Sequence, residues 1–240
     1  MSISPSLGVA LKDLCVRLAD DKLIMGLSLE QWLPKAPSEE IHSVFRSIAR
    51  RYYQQAGAFY QLIEEFTGES LRERENPNTY RNCQFTAIPI SAYADALIKQ
   101  YLFDQADVIR LESLQYANNA ALQNLALSFL PQAKAGLAHS QLMIPKLAHA
   151  TESAHKALQD ALSTWYPASF GIFEPSIQTN AITKAGIQDL EDQLLKRFRG
   201  EVPEFVHSGA LHLPNAKRFF DFFGGRSGHQ RPELDELLNL

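Results

Sequence analysis

The sequence predicts an all-α fold, an antiparallel bundle of long helices. Apolar residues recur at alternating spacings of about three and four over most of the chain, which is the period of a helix with one buried face. No segment alternates polar and apolar residues between hairpin turns, as a half-buried strand would. Long helices that are joined antiparallel form a bundle.

The first two helices are defined by their apolar stripes and their ends. The stripe of the first helix consists of Leu7, Leu11, Leu14, Leu18, Met25, Leu29 and Trp32. Pro34 ends this helix, and Ser38 is a natural N-cap for the second. The second stripe consists of Phe45, Ile48, Tyr52, Ala56, Phe59 and Ile63. Gly68 stops the second helix, and the polar residues 69–90 are predicted to form a long surface connection.

The later helices follow the same pattern. A third begins near Ser91, with a stripe of Ala94, Leu97, Tyr101, Asp104, Val108 and Leu111. Three more are predicted over about 120–148, 151–170 and 184–199. The glycine- and proline-rich tail from Gly200 to Leu240 is expected to end in a short helix.

Length, composition and charge exclude several classes of protein. The chain has 240 residues, of which 45% are apolar and 21% charged, so we expect one globular domain over 1–240. Its core bundle would span about 5–170, with extra helices and the tail over about 171–240. A net charge of −4 gives no general attraction to nucleic acid or to an anionic membrane.

The sequence also predicts a cytoplasmic location and no membrane segment. No run approaches the ~18 consecutive apolar residues of a membrane span, and the N-terminus lacks the pattern of a signal peptide. The two cysteines, Cys15 and Cys83, make neither a disulfide framework nor a thiolate zinc site. We expect both to be reduced thiols.

Four segments carry a family resemblance in a fixed order along the chain. They are Leu18–Gly26 followed by Glu30–Trp32 and Ala36–Ser38, Ala94–Asp104 followed by Arg110–Glu112, Leu162–Pro167 with Phe173 and Glu174, and Gly224–His229. Together they resemble the phenylacetic acid catabolic protein family, the ferritin-like subunits of the phenylacetyl-CoA monooxygenase (epoxidase) complex. The chain looks most similar to the structural, PaaC-type subunit rather than to the iron-bearing one.

The resemblance implies a ferritin-like bundle with a partner. In the family, the structural subunit pairs with the iron-bearing subunit, supports it, and contributes to binding the acyl-CoA substrate. This implies a ferritin-like partner subunit and an acyl-CoA contact for the chain.

The family's metal positions are mostly altered in this chain. A di-iron bundle needs a Glu from each of two helices and a Glu-x-x-His from each of two others. By resemblance, these positions fall on Lys22, Tyr53, Ala56, Asp104, Ala133 and Gly136. Only Asp104 keeps a ligand type, and one carboxylate cannot hold two irons. The sequence therefore predicts no bound metal, no other cofactor and no oxygen activation.

Two of these positions place charges on apolar stripes. Lys22 lies on the first stripe, between Leu18 and Met25, and Asp104 lies on the third. A buried charge must be paired or neutralised. One interpretation is a buried ion pair between Lys22 and Asp104. The alternative is that one or both side chains turn toward solvent.

Other candidate ligands have ordinary explanations. Two Glu-x-x-His spacings occur, Glu39 to His42 and Glu152 to His155. Both fall in the first turn of a predicted helix, where the helix dipole favours acidic residues. The remaining histidines show no ligand spacing; they are His139, His149, His207, His212 and His229. No G-x-S-x-G nucleophile elbow or P-loop occurs.

Two clusters are candidate contact surfaces. Arg46, Arg50 and Arg51 fit an acidic partner, a CoA phosphate or a solvated helix face. Four phenylalanines in five residues cannot all face one core, so they predict either a partner interface or local packing. They are Phe219, Phe220, Phe222 and Phe223.

Three functions follow from these observations. The first is a non-catalytic structural subunit beside an iron-bearing partner. The second is a stand-alone interaction or binding protein without metal, forming a homo-oligomer. The third is an enzyme with new chemistry at the altered site, using Lys22, Tyr53 and Asp104, since a desolvated lysine can act as nucleophile or base.

Overall fold

The computed structural model describes residues 5–71, 79–208 and 210–214. Within these ranges the chain is helical and contains no strand, as predicted. The helices are α1 (Pro5–Trp32), α2 (Glu39–Thr67), α3 (Gln84–Ala87), α4 (Tyr93–Leu114), α5 (Ala120–Ala148), α6 (Glu152–Ser169), α7 (Thr179–Lys184) and α8 (Glu191–Ser208). Short 3-10 helices follow α1 (Leu33–Lys35) and α6 (Phe170–Phe173).

Four long helices form the body of an all-α, ferritin-like bundle. α1 packs along α2, and α4 packs along α5. α6 covers α4 and α5, while α8 lies against α4. A continuous hydrophobic core joins buried side chains from all eight helices. The prediction of one domain over residues 1–240 stays a prediction, because residues 215–240 lie outside the described ranges.

The helix ends are set by the residues that the sequence indicates. The Ser38 hydroxyl accepts a hydrogen bond from the Ile41 N–H at 3.2 Å and starts α2. Gly68 ends α2 in the left-handed region, with φ of +70°, which glycine adopts without a Cβ penalty. Asn119 caps α5 and Thr151 caps α6 in the same manner as Ser38.

The connection after α2 differs from its prediction. Its described second part, residues 79–90, was expected on the surface, but most of its side chains are buried. The buried residues include Asn82, Cys83, Phe85, Thr86 and Ala87. Polar side chains of α1 and α4 bind the backbone of this segment, which allows a non-helical stretch to lie inside.

The C-terminal helices also depart from the predicted boundaries. The sixth helix, predicted over about 184–199, corresponds to α8, which begins later at Glu191 and continues through Gly200 and Pro203 to Ser208, while the short α7 precedes it. α8 buries Leu194, Leu195, Phe198, Val202 and Val206 in the core. This apolar face outweighs the low helix propensity of glycine and proline.

Several sequence predictions concern surfaces and termini. Among the described helices, none has an apolar stretch of the length that crossing a bilayer requires. Cys15 and Cys83 are both buried, and neither forms a disulfide with a described residue. The phenylalanine cluster Phe219, Phe220, Phe222 and Phe223, the Gly224–His229 segment and the predicted last helix lie outside the described residues.

Candidate functional site

Charged and polar side chains fill the centre of the bundle between α1, α2, α4 and α5. We call this group the polar core. It consists of Lys22, Arg51, Tyr52, Gln55, Gln100, Asp104 and Asp107, together with Gln132, which is exposed on α5 and joins them from the surface. Lys22 is 1% exposed and Asp104 is fully buried, so neither charge turns toward solvent.

Lys22 pairs with Asp107 rather than with Asp104. Its ammonium nitrogen lies 2.6 Å from both carboxylate oxygens of Asp107 and 2.8 Å from Gln55 Oε1. Asp107 follows Asp104 by three residues on α4, so both carboxylates face the bundle axis about one turn apart. The partner of Lys22 is therefore Asp107, one turn further along α4 than the predicted Asp104.

Asp104 is instead held by α2. Arg51 Nη2 donates to Asp104 Oδ1 at 2.6 Å, and the Tyr52 hydroxyl donates to the same oxygen at 2.8 Å. Gln100 Nε2 donates to Asp104 Oδ2 at 3.0 Å. Three donors on one carboxylate satisfy most of its lone pairs, which is the condition for burying a charge.

A glutamine on α5 joins the two ion pairs. The Gln132 side chain accepts from Gln55 at 3.2 Å, and its backbone carbonyl accepts from Arg51 Nη1 at 2.6 Å. Because Gln55 also contacts Lys22, the hydrogen bonds run without interruption across all four long helices. The polar core is therefore one network.

Glycine at position 136 makes room for this network. A Cβ atom there would lie 2.0 Å from Arg51 Nη1 and 2.5 Å from Asp104 Oδ2, distances that no packed structure tolerates. The Gly136 carbonyl also accepts from Gln100 at 2.8 Å. Gly136 and Ala133, two of the positions placed by resemblance, are both buried on α5, and neither offers a ligand atom on its side chain.

On α2, two residues of the polar core lie one position before Tyr53 and Ala56, the positions placed by resemblance. Tyr53 is only half-buried, and its hydroxyl donates to Glu30 at 2.6 Å outside the polar core. The i, i+3 pair that contacts the polar core is Tyr52 and Gln55. Ala56 is buried in the hydrophobic core. The apolar stripe already contained Tyr52, so the helical period was the signal that favoured it.

Burial and pairing set the protonation states of the polar core. Burial lowers the pKa of Lys22, and the adjacent Asp107 opposes this shift. For Arg51, the carboxylate of Asp104 more than offsets the effect of burial, so its pKa is raised. Burial, together with Asp104, raises the pKa of Tyr52 well above its ordinary range, so Tyr52 remains a donor.

These residues do not fit a di-iron centre. The polar core already contains two cations, Lys22 and Arg51, for its two carboxylates, so its formal charge is zero without any metal. Among the described residues, no three His, Cys, Asp or Glu side chains gather where they could hold an ion. A cavity of about 10 Å³ lies beside Lys22 and Asp107, which is about one water in size.

The two acidic residues before Lys22 hold the buried connection. Asp20 accepts from the Arg81 N–H at 2.6 Å and from the Tyr60 hydroxyl at 2.5 Å. Asp21 accepts from the Cys83 N–H at 2.7 Å. These contacts, which the sequence alone did not indicate, explain why the successive charged residues Asp20, Asp21 and Lys22 of α1 can all be buried.

A second buried charge cluster joins α1, α4 and α8. Arg17 and Arg110 both contact Glu191, at 3.4 Å and 3.0 Å. Arg17 also donates to the Glu174 carbonyl, and Arg110 donates to the Ile172 carbonyl. Arg110 and Glu174 belong to two of the four segments that carry the family resemblance, and Arg17 directly precedes a third. The cluster therefore brings these distant parts of the chain together.

Lys99 is a further buried cation that sequence reasoning missed. It donates to Ser28 Oγ and to the carbonyls of Thr86 and Ile88 at 2.5–3.1 Å. Its nitrogen lies 4.9 Å from the centre of the Trp165 ring. Burial lowers the pKa of Lys99 from 10.5 to about 7.

The histidine motifs stay apart from the polar core. Glu39 and Glu152 are exposed in the first turns of α2 and α6, as expected for residues at helix starts. His149, His207 and His212 are exposed, and His229 lies outside the described residues. His139 is half-buried against the Phe45 ring, with the ring centres 6.3 Å apart.

An open groove between α2 and α5 lies outside the polar core. Its volume is about 590 Å³, and Arg50, Arg51 and His139 contribute its basic groups. Arg51 lies at its floor and separates the groove from Asp104. Of the described residues that line the groove, none is acidic.

Comparisons with known proteins match nearly the whole chain. The profile of the phenylacetic acid catabolic protein family matches residues 6–239. The chain is also similar to the PaaC subunit of 1,2-phenylacetyl-CoA epoxidase from Escherichia coli (strain K12), with 22% identity over 233 residues. That match covers 94% of this chain and 93% of the relative. The chain therefore belongs to the phenylacetic acid catabolic protein family.

Proposed function

We propose that this chain is a non-catalytic, structural subunit of a phenylacetyl-CoA epoxidase-type complex, supporting an iron-bearing partner in phenylacetate catabolism. The carrying observation is the pairing of Lys22 with Asp107 and of Arg51 with Asp104 at the centre of the bundle. The similarity to the PaaC subunit of an epoxidase supports the assignment to such a complex.

The two ion pairs explain why this subunit would do no oxygen chemistry. A divalent metal ion at the polar core would have to take Asp104 and Asp107 from their present cations. Lys22 and Arg51 would then be buried charges without partners, and an uncompensated buried charge is strongly unfavourable. The same side chains that fill the centre of the bundle thus stabilise the subunit as a rigid support.

The alternative of new chemistry at this position has little support. Its three candidate residues do not converge, because Tyr53 contacts Glu30 on the outer side of α2. The cavity beside Lys22, about 10 Å³, is far smaller than the several hundred Å³ of a typical substrate pocket. An acyl-CoA contact at the outer surface of the subunit stays a prediction.

Iron loading tests the metal-free part of the proposal. The purified chain is incubated anaerobically with ferrous iron, desalted and analysed for metal. We expect no iron beyond that of a control protein treated in parallel. About two irons per chain would contradict the conclusion that the polar core does not fit a di-iron centre, and would restore an oxygenase interpretation.

Complex formation separates the structural subunit from a stand-alone protein. The chain is co-expressed with the family member from the same genome that retains both Glu-x-x-His motifs, and one of the two is tagged. Co-purification in equal amounts, with epoxidase activity that depends on both chains, is expected. A homo-oligomer that does not bind the iron-bearing chain would instead establish the stand-alone alternative.

A further inference from the structure

The outward face of α5 carries a row of exposed apolar side chains, with exposed polar residues such as Asn124 and Lys134 beside it. A stripe of exposed residues runs along it at spacings of four, four, three and four. We call it the α5 stripe, and it consists of Leu127, Pro131, Ala135, Ala138 and Leu142. Leu127 and Leu142 are 51% and 57% exposed. Such spacing is what a helix presents to a neighbouring helix.

The shape of the α5 stripe suits a helix in particular. It extends over about 22 Å, or four turns, at 1.5 Å per residue. Its two end residues are leucines, whereas its middle carries the smaller side chains of Pro131, Ala135 and Ala138. Small residues in the middle of a contact let two helix axes approach closely, while the leucines at each end pack beside the partner.

The groove between α2 and α5 borders the α5 stripe and supplies a charge signal. Ala135 belongs to both features, and the basic groups of the groove lie directly beside it. Arg50 is exposed, and His139 Nδ1 is buried with no hydrogen-bond partner in the described part of the chain. α5 itself contains no aspartate or glutamate over its 29 residues.

We infer that the α5 stripe and the adjoining groove form the docking surface for an amphipathic helix of the iron-bearing partner subunit, with acidic residues along its edge. This inference rests on the proposed function, which requires a partner but does not say where it binds. Apolar contact supplies the binding area, and carboxylates on the partner match the exposed guanidinium of Arg50.

A second copy of this chain does not match the surface. Two copies that meet through the same face about a twofold axis place each groove and its arginines on the same interface. Like charges brought together in this way oppose association. The occupant is therefore a different surface, with charge opposite to that of the groove.

Two variants test the surface against a matched control. Leu142→Glu places a carboxylate on the α5 stripe, and Arg50→Glu reverses a charge at the groove. Ile177→Glu is the control, because Ile177 is 96% exposed and lies on neither feature. All three positions are solvent-exposed, so thermal unfolding should be close to that of the wild type.

The measurement is the affinity of each variant for the purified iron-bearing subunit from the same genome. We expect Leu142→Glu to weaken binding at least about tenfold, because the variant loses an apolar contact and buries a carboxylate in its place. Arg50→Glu should weaken it less and make the affinity less sensitive to salt, since one favourable charge contact is removed. Ile177→Glu should bind as the wild type does.

The outcomes separate this inference from the proposed function. If the wild-type chain does not bind the iron-bearing subunit, the proposed function fails and the docking surface fails with it. If the wild type binds and Leu142→Glu binds equally well, only the docking surface is overturned. If Leu142→Glu instead dissociates a homodimer of this chain, the occupant is a second copy and our choice of partner is wrong.

Discussion

The polar core differs from the α5 stripe and its groove in whether its charges are paired and whether its side chains are covered. In the polar core, two cations face two carboxylates, and glutamine and tyrosine side chains complete the hydrogen bonding. At the groove, basic groups face solvent without acidic residues among the described lining, beside exposed apolar side chains. Arg51 belongs to both, because its side chain reaches from the groove to Asp104.

The difference indicates where this protein can interact with other molecules. A network whose cations and carboxylates are paired within the chain leaves no unpaired charge for a metal or a substrate. A surface with unbalanced charge and exposed apolar residues gains free energy when a complementary surface covers it. The interior therefore stabilises the subunit, and the outer face of α2 and α5 is where we place its function.

The largest expected effect comes from removing one partner inside the polar core. Asp107→Ala leaves the Lys22 ammonium buried without its carboxylate, which should lower the free energy of unfolding by about 3–5 kcal/mol. Chemical denaturation measures this change. Asp160→Ala is the control, because it breaks an exposed pair with Lys156 and should change stability very little. Equal effects of the two variants would mean that Lys22 is not buried as described.

A smaller loss is expected when the polar core is crowded rather than emptied. Gly136→Ala places a methyl group against Arg51 and Asp104, which must move apart, and should cost about 1–3 kcal/mol of stability. Gly57→Ala on α2 is the matched control, because nothing lies within 4 Å of the added Cβ. It should stabilise the helix by about 0.5–1 kcal/mol. The two changes in stability should thus have opposite signs.

A third effect depends on pH and on Lys99. The pKa of Lys99 is about 7 in the folded chain, against the ordinary lysine value of 10.5 in the unfolded chain. Between these two pH values the unfolded chain therefore binds more protons than the folded chain. Stability should therefore rise with pH across this window, by at most about 1.4 kcal/mol per pH unit, and this group adds no slope below about pH 7. Denaturation at several pH values measures the slope.

Lys99→Met supplies the comparison for this pH dependence. The variant lacks the titrating group, so its stability should rise less steeply than that of the wild type between about pH 7 and 10.5. Other groups contribute equally to both proteins, and the difference between the two slopes belongs to Lys99. Identical slopes would show that Lys99 keeps an ordinary pKa in the folded chain.

The smallest expected effect is that of replacing a whole ion pair. Lys22→Met combined with Asp107→Leu removes both charges and keeps apolar volume, so stability should fall by less than about 1 kcal/mol or rise. The same denaturation measurement compares this double variant with Asp107→Ala. A loss as large as that of Asp107→Ala would indicate that the ion pair itself adds to the free energy of unfolding, beyond neutralising its two charges.

The sequence predicted most of the fold because its signals are local. The caps at Ser38 and Asn119, the stop at Gly68 and the stripes of α1, α2 and α4 all follow from the helical period and from terminal hydrogen bonds. The prediction was wrong where tertiary burial decides the outcome. Residues 79–90 are buried because distant side chains bind their backbone, and α8 passes Gly200 because its apolar face packs on the core.

The sequence indicated two of the charged residues at the centre of the bundle, but not the residues with which they pair. Lys22 and Asp104 were both identified as charges on apolar stripes, and both are buried. Their partners, Asp107 and Arg51, could not be identified because a helical period shows which face a residue occupies but not which turn of the neighbouring helix it meets. Tyr52, in contrast, lies on the apolar stripe of α2, so the helical period itself favoured it over Tyr53.

By itself, the sequence determined the all-α bundle and the family, since these depend on residue type and periodic spacing. Only the tertiary structure decided which cation meets which carboxylate, that Gly136 admits Arg51, and that α5 presents an apolar face to solvent. These features depend on the distances and relative rotation of packed helices, which local sequence does not encode. A difference of one helical turn, about 5.4 Å, is enough to exchange one buried partner for another.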